Sequence, residues 1–403
     1  MSGERWLGLV GIGEDGIDGL TPAARKLVKQ AALVVGGKRH LALAGPLKAE
    51  TLAWPSPIEN ALDLIEARRG RPVCVMASGD PFFFGVGAML MRRFDAHEMI
   101  SFPAPSAFAL AASRLGWSEQ DCALLSLHGR PLEAIVPHLH DGARILALSW
   151  DGATPGKLAA LLAARRMGRS KLTVCEAMGG GNERIRTAEA EGFALDNVAA
   201  LNTIALEVVA GASAHILPRA PGLPDDWFEH DGQITKRDIR AVTLAQLAPR
   251  RGELLWDVGS GSGSIAIEWM LADPANTAVA IERRRDRAER IARNAPSFGV
   301  PGLSVVAGEA PQAFADLAAP EAIFIGGGAS AAGVIEGAYE KLKPGGRLVV
   351  NAVTLETQAD CVGWRARFGG ELARIEVAHA EPLGRYSGWR AAAPVVQWRL
   401  VKP

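Results

Sequence analysis

The sequence predicts an α/β protein built from two unrelated domains, and three observations carry that reading. Short β-branched runs alternate with Ala-, Leu- and Arg-rich helical stretches along the chain, the pattern of parallel sheets covered by helices. A chain of 403 residues exceeds one ordinary core and suits about two or three domains. The segment Leu217-Pro-Arg-Ala-Pro-Gly-Leu-Pro-Asp-Asp226 places three prolines and a glycine where neither a helix nor a central strand can continue. Domains are therefore predicted over residues 1–217 and 227–403, joined by a Pro-rich linker over 218–226.

In order along the first half, strands are predicted at Trp6–Val10, Ala32–Val35, Val73–Ala77, Arg144–Leu148, Leu172–Val174 and Thr203–Val209. Helical stretches fall between them, among them Thr21–Gln30, Ile58–Arg68 and Gly85–Arg93. The second half supplies strands at Leu254–Val258, Ala278–Ile281, Leu303–Val306, Ala322–Ile325 and Arg347–Asn351. It closes with Arg374–Ala380 and Val395–Val401, which suit antiparallel pairing and complete a mostly parallel seven-stranded sheet. The halves do not align with each other, so the chain reads as a fusion and not as a duplication.

Composition narrows the partners. Lys+Arg and Asp+Glu balance at 44 each, so no global field points to nucleic acid or to an anionic membrane. Cys74, Cys122, Cys175 and Cys361 are scattered without metal spacing and read as reduced thiols, which suits a cytoplasmic setting. The first residues lack a cleavable-signal pattern, and no apolar stretch approaches the roughly 20 residues needed to span a bilayer. No metal site is expected. Ala-rich apolar helices lead us to expect self-association into a homo-oligomer.

The second half carries the clearest chemistry. Glu253-Leu-Leu-Trp-Asp-Val258 is an apolar strand, and Gly259-Ser260-Gly261-Ser262-Gly263 follows it before the helical Ile265–Leu271. Such glycines turn the chain tightly and let a ligand approach the backbone, while the helix N-terminus favours polar or anionic groups. Glu282 ends the next strand about 20 residues on, where a carboxylate accepts both hydroxyls of a ribose. A dinucleotide fingerprint is spaced G-x-G-x-x-G, whereas this loop is G-x-G-x-G with Asp257 just ahead of it.

That form resembles the first motif of class I S-adenosylmethionine-dependent methyltransferases. Gly308-Glu-Ala-Pro311 lies where that family cups the adenine, and Leu342-Lys-Pro-Gly-Gly-Arg-Leu-Val349 matches its helix-to-fifth-strand crossing. Upstream, Asp225-Asp-Trp-Phe-Glu-His-Asp-Gly-Gln-Ile-Thr-Lys-Arg-Asp-Ile-Arg240 resembles the leading segment of the small precorrin methyltransferase/decarboxylases of cobalamin synthesis. The resemblance implies cofactor contacts at Thr235, Gly259–Gly263, Glu282 and Ala310, and a substrate edge at Ile323-Phe-Ile-Gly-Gly327-Gly328. Lys236, Arg237 and Arg240 read either as a solvated helix face or as anchors for a poly-carboxylate substrate. The alternating charges of Glu282–Arg290 read as a salt-bridged helix surface.

The first half opens with Val10-Gly11-Ile-Gly13-Glu-Asp-Gly16, a G-x-G-x-x-G after a strand. A dinucleotide site needs its helix to open at once, yet here Ile17-Asp-Gly-Leu20 intervenes before Thr21-Pro22, an N-cap followed by Pro at the first helical position. The layout resembles instead the tetrapyrrole (class III) methyltransferases, a fold of two αβα lobes. Ser78-Gly-Asp-Pro-Phe-Phe-Phe-Gly-Val-Gly87, Pro103-Ala-Pro-Ser-Ala-Phe-Ala109 and Asn202-Thr-Ile-Ala-Leu-Glu207 match that family's later segments. The resemblance implies cofactor contacts at Gly11, Gly13, Ser78, Gly79, Asp80 and Phe83, with Ser106 and Ala107 opposite. Glu14 departs from that family's usual loop spelling, which has proline there, and leaves the first loop's contact open. Asp80 also suits a turn before Pro81. His128, in His128-Gly-Arg130, reads either as a substrate contact or as an ordinary hydrogen-bonded histidine.

Together the halves resemble the fused, decarboxylating precorrin methyltransferases. The resemblance implies two S-adenosylmethionine sites per chain and a precorrin substrate. Its carbon C5 would be methylated by the first half; C15 methylation and loss of the ring C acetate carboxyl would fall to the second. Two other readings stand beside it: the same folds acting on another small molecule, or one half that only binds. No residue is assigned as general acid or base.

Overall fold

The computed structural model describes residues 5–403. The chain divides into two compact units, one comprising residues up to Leu132 together with His138–Ile216, the other Glu133–Pro137 and Leu217–Pro403.

The first unit holds two five-stranded sheets. β1 (Leu7–Ile12), β2 (Leu33–Gly36), β3 (Glu50–Ala53), β4 (Val73–Ser78) and β5 (Met99–Phe102) pair in the order β3-β2-β4-β1-β5, every neighbour parallel. All six residues of β1 are buried, the continuous apolar run of a strand covered on both faces. β6 (Cys122–Ser126), β7 (Arg144–Leu148), β8 (Lys171–Glu176), β9 (Arg184–Glu189) and β10 (Asn202–Glu207) form the second sheet in the order β6-β7-β10-β8-β9. Only β6–β7 is parallel there. The helix Pro22–Gln30 starts where the sequence places it: Thr21 Oγ1 accepts the Ala24 N–H at 3.3 Å and Pro22 occupies the first turn. The helix expected over Gly85–Arg93 shrinks to Gly87–Leu90, consistent with glycines at both 85 and 87.

The second unit is built on β11 (Leu254–Val258), β12 (Thr277–Glu282), β13 (Ser304–Ala307), β14 (Ala322–Ile325), β15 (Arg347–Ala352), β16 (Glu371–Ile375) and β19 (Val395–Val401). They form a seven-stranded sheet in the order β13-β12-β11-β14-β15-β19-β16, parallel except where β19 runs against both neighbours. Strand order reverses between β11 and β14, the switch point beside which open α/β sheets hold ligands. Trp256, Trp269 and Trp398 are wholly buried in this core.

One expected strand is corrected. Residues 374–380 do not form a single strand against β19: β16 ends at Ile375, and a separate hairpin of β17 (Ala378–Leu383) and β18 (Tyr386–Ala391) follows. The hairpin leaves the sheet beside the C-terminal end of β15, since Ile375 pairs Val395 and Ala352 pairs Val396. The 218–226 segment is also fastened within its unit. Leu223 is buried, and the Gly222 and Leu223 N–H groups donate to the Glu268 carboxylate at 2.6 and 3.0 Å. No helix of the described residues is long and apolar enough to cross a membrane.

Candidate functional site

In the first unit, three loops meet backbone to backbone at the C-terminal edge of the parallel sheet. A Cβ at Gly11 would stand 1.8 Å from the Gly79 carbonyl oxygen and 2.5 Å from the Ala104 nitrogen, so only glycine fits. Gly79, at φ +56°, donates to Ile12 O at 3.3 Å and accepts from Ala104 N at 3.1 Å. Ser106 caps the helix Ala107–Leu115 through its hydroxyl, which accepts the Ala109 N–H at 3.1 Å. The structure thus brings Gly11, Gly79, Ser106 and Ala107 together. The first loop turns through Gly13, whose carbonyl accepts from Gly16 N at 3.0 Å, and a single 3₁₀ turn delays the helix as the spacing required.

The side chains sort differently. Asp80 Oδ1 accepts the Phe82 N–H at 2.8 Å, the turn-forming role. Phe83 packs on Phe84 and Phe108, at ring separations of 5.0 and 5.2 Å, and stays partly exposed at the mouth of the loop. His128 lies 6.3 Å from the Trp150 ring; its neighbour Arg130 is the one that reaches the motif loop, over the Phe84 ring at 5.7 Å. Sequence reasoning missed Arg39 and His40. Both approach Ser78 Oγ, at 2.6 and 2.8 Å, and Arg39 also pairs with Glu14. Burial, then the adjacent Arg39 charge, lowers the His40 pKa to about 4, so its ring is neutral. Their position just after a parallel strand was the available signal.

In the second unit, the glycine loop after β11 faces the glycine run after β14. A Cβ at Gly259 would lie 2.6 Å from the Gly327 carbonyl oxygen. A cavity of about 220 Å³ opens there, lined by Gly259, Glu282, Ala310 and Gly327, and by Arg283, Arg287 and Ala331, which the sequence reading had not singled out. Glu282 is buried and accepts from Gly261 N and Arg284 N, both at 2.9 Å, so it holds the loop's shape and faces the cavity. Ser260 turns its hydroxyl to Asp257 Oδ2 at 2.7 Å, while Ser262 Oγ is buried with no partner. Gly263, at φ +79°, starts the helix Ser264–Ala272 against Ile291. Gln233 O lies 3.3 Å from a Cβ built on Gly261, which brings the Thr235 segment against the loop.

One reading of this region changes. Arg240 is not a substrate anchor. Its side chain is 0% exposed, bonded to Glu268 at 2.6 Å, to Asp225 at 3.1 Å, to Thr235 O at 2.6 Å and to Leu223 O. A guanidinium on that face of the helix Arg237–Leu247 locks the leading segment to the core, while Arg237 stays exposed and Lys236 reaches only Asp225, at 3.8 Å. The Arg-rich stretch after Glu282 is the salt-bridged surface its alternating charges suggest, and it reaches beyond its own helix: Arg287 and Arg290 hold Asp231 at 2.8 and 3.5 Å. The Arg287 hydrogen bond leads in holding the Asp231 carboxyl well below the usual range.

S-adenosylmethionine fits what these residues offer. Asp257 is fully buried, its Oδ1 has no partner, and burial pushes its carboxyl up to about 6, with Glu282 adding to the push. A cationic ligand beside two such carboxylates relieves that cost. Gly259 and Gly327 bring their loops into backbone contact beside a cavity of about 220 Å³ that can take a ligand.

Comparison with known proteins agrees with both halves. Residues 7–194 match the family described as tetrapyrrole (corrin/porphyrin) methylases, and residues 226–402 match a precorrin methyltransferase domain. A Sinorhizobium protein named precorrin-6Y C(5,15)-methyltransferase [decarboxylating] is 56% identical over 98% of this chain and 96% of its own length. Two shorter relatives each match under half of this chain. A probable cobalt-precorrin-6B C(15)-methyltransferase (decarboxylating) of Pyrobaculum calidifontis is 35% identical over 43% of this chain and 93% of its own length. A cobalt-precorrin-7 C(5)-methyltransferase of Salmonella typhimurium is 34% identical over 44% of this chain and 88% of its own length. Fold and comparisons together define an S-adenosylmethionine-dependent C-methyltransferase that joins a tetrapyrrole methylase domain to a precorrin methyltransferase domain. The chain belongs to the precorrin-6Y C(5,15)-methyltransferase (decarboxylating) family.

Proposed function

We propose that each unit holds its own S-adenosylmethionine, the first methylating C5 of the precorrin and the second methylating C15 and releasing the ring C acetate carboxyl as carbon dioxide. The observation that carries this reading is the pair of glycine-dictated loop junctions, Gly11–Gly79 and Gly259–Gly327, at the C-terminal edges of two separate sheets. The separate C5 and C15 activities named for the two shorter relatives support the division.

When bound, the cofactor supplies an electrophilic methyl on a sulfonium, which leaves as a neutral thioether and needs no acid. The tetrapyrrole's electron-rich carbon is the nucleophile, so the protein's task is alignment, worth up to roughly 7–11 kcal/mol. On this reading Glu282 accepts ribose hydroxyls once its loop contacts exchange, Ala310 lines the adenine, and Asp257, buried next to the lining residue Val258, adds negative charge. Carboxyl loss gains from a dry pocket, because the carboxylate charge disperses in the transition state.

A reducing, cytoplasmic setting suits the four free cysteines: burial pushes the Cys74, Cys175 and Cys361 thiols up to about 12, 11 and 11, which leaves them unreactive. Calorimetric titration of the full chain with S-adenosylhomocysteine tests the central claim. Two sites per chain are expected; a single site would reduce one half to a binding or docking role.

A further inference from the structure

Glu14, Arg39 and His40 have no place in the binding set above, yet with Ser78 they form one polar cluster. Glu14 follows β1, Arg39 and His40 open the helix Lys38–Leu43 after β2, and Ser78 ends β4. Since β2, β4 and β1 are consecutive neighbours, all four residues gather at the sheet edge where Gly11 and Gly79 meet.

Hydrogen bonding fixes what this cluster offers. Gly37 N lies 3.3 Å from His40 Nδ1, and His40 Nε2 lies 2.8 Å from Ser78 Oγ and 3.3 Å from Arg39 Nη2. Arg39 Nη2 donates to the same oxygen. Ser78 Oγ therefore accepts from Arg39 and shares a hydrogen bond with His40. Arg39 engages Glu14 through its other amino group, and its side chain remains 37% exposed. Arg39 therefore holds the Glu14 carboxylate on one amino group and the Ser78 hydroxyl on the other, at the sheet edge where Gly11 and Gly79 meet. Such a fork suits any carboxylate in bidentate fashion, and a partly solvated pair exchanges one carboxylate for another at little cost.

We propose that Arg39, steadied by Ser78, is a carboxylate receptor at the N-terminal site, and that Glu14 occupies it until a ligand carboxylate takes its place. The ligand is either an acidic side chain of the tetrapyrrole or the amino-acid end of the cofactor. The inference rests on the assignment of C5 transfer to this unit.

The test uses full-length Glu14→Gln, Arg39→Ala and Arg39→Lys proteins, each checked for an unaltered melting profile. C5 and C15 methyl transfer are followed separately by product mass, and S-adenosylhomocysteine affinity is measured by calorimetry. A tetrapyrrole carboxylate predicts opposite shifts in the C5 KM: Glu14→Gln lowers it several-fold, while Arg39→Ala raises it about tenfold or more, the scale of one lost charge-assisted contact. Arg39→Lys falls between, because it keeps the charge and loses the fork. If the cofactor is the source, the same opposite pair appears in the affinity of one homocysteine site. Shifts in the same direction, or none while C5 transfer persists, overturn the receptor. Opposite shifts confined to C15 transfer keep the receptor and overturn the assignment of C5 to this unit.

Discussion

Arg240 carries a full charge into a volume without solvent, which is stable only because every arm of its guanidinium has an acceptor. Glu268 is buried with it and also takes the Gly222 and Leu223 N–H groups, so the two side chains join helix Ser264–Ala272 to the segment ahead of Thr235. Replacing one member of such a pair leaves the other charged and unpaired. Arg240→Met should therefore lower stability by about 3–5 kcal/mol, read as denaturant or thermal unfolding of the second unit. Below the shifted transition, the precorrin KM should stay near its parent value. A large KM increase in folded protein would restore Arg240 as a substrate anchor. The sequence showed a basic residue on a helix but not its depth. Its acidic partners are 15 and 28 residues away, beyond the reach of helical spacing.

At the scale of elements, legibility followed burial. Strands such as β1 and β11 announce themselves because both faces are covered and their residues are uniformly apolar. β3 and β9 sit at sheet edges with half-exposed, charged sequences, Glu-Thr-Leu-Ala and Arg-Ile-Arg-Thr-Ala-Glu, so no period marks them. The β17–β18 hairpin escaped for the same reason: Leu383, Tyr386 and Trp389 are 70%, 67% and 81% exposed, and no apolar alternation faces a core. Three large apolar side chains on a two-stranded ribbon are costly to leave in water. We expect the chain to self-associate through this hairpin. Sedimentation velocity should show an oligomer for the parent, and Trp389→Glu should weaken association by at least about tenfold, as loss of an interfacial aromatic does. A parent that sediments as a single chain at micromolar concentration would defeat this expectation. Among site features, the glycine contacts were legible because steric need dictates residue type locally. The Glu14–Arg39–Ser78 cluster was not, since its members lie 25 and 39 residues apart and meet only through strand order.

For the whole molecule, one proposed cofactor site on each of two separate sheets implies that each can be blocked on its own. Gly79 and Gly259 are the positions to use. Each has positive φ, at +56° and +68°, and a Cβ would press on backbone 2.9 Å away at Ser106 or 2.6 Å away at Gly327. Alanine at either position costs roughly 1–2 kcal/mol in backbone strain, small against a domain's stability, but it pushes apart loops that must meet around the ligand. Gly79→Ala should bind one S-adenosylhomocysteine per chain, transfer a single methyl group, and still release carbon dioxide from the precorrin. Gly259→Ala should also bind one, yet release no carbon dioxide. Mass analysis of the tetrapyrrole product separates these outcomes, and a melting profile confirms that both units remain folded. Persistence of decarboxylation in Gly259→Ala, or its loss in folded Gly79→Ala, would move that chemistry to the other unit. Loss of both methylations from Gly79→Ala with one homocysteine site still intact would instead make the second unit depend on the first, contrary to two self-sufficient sites.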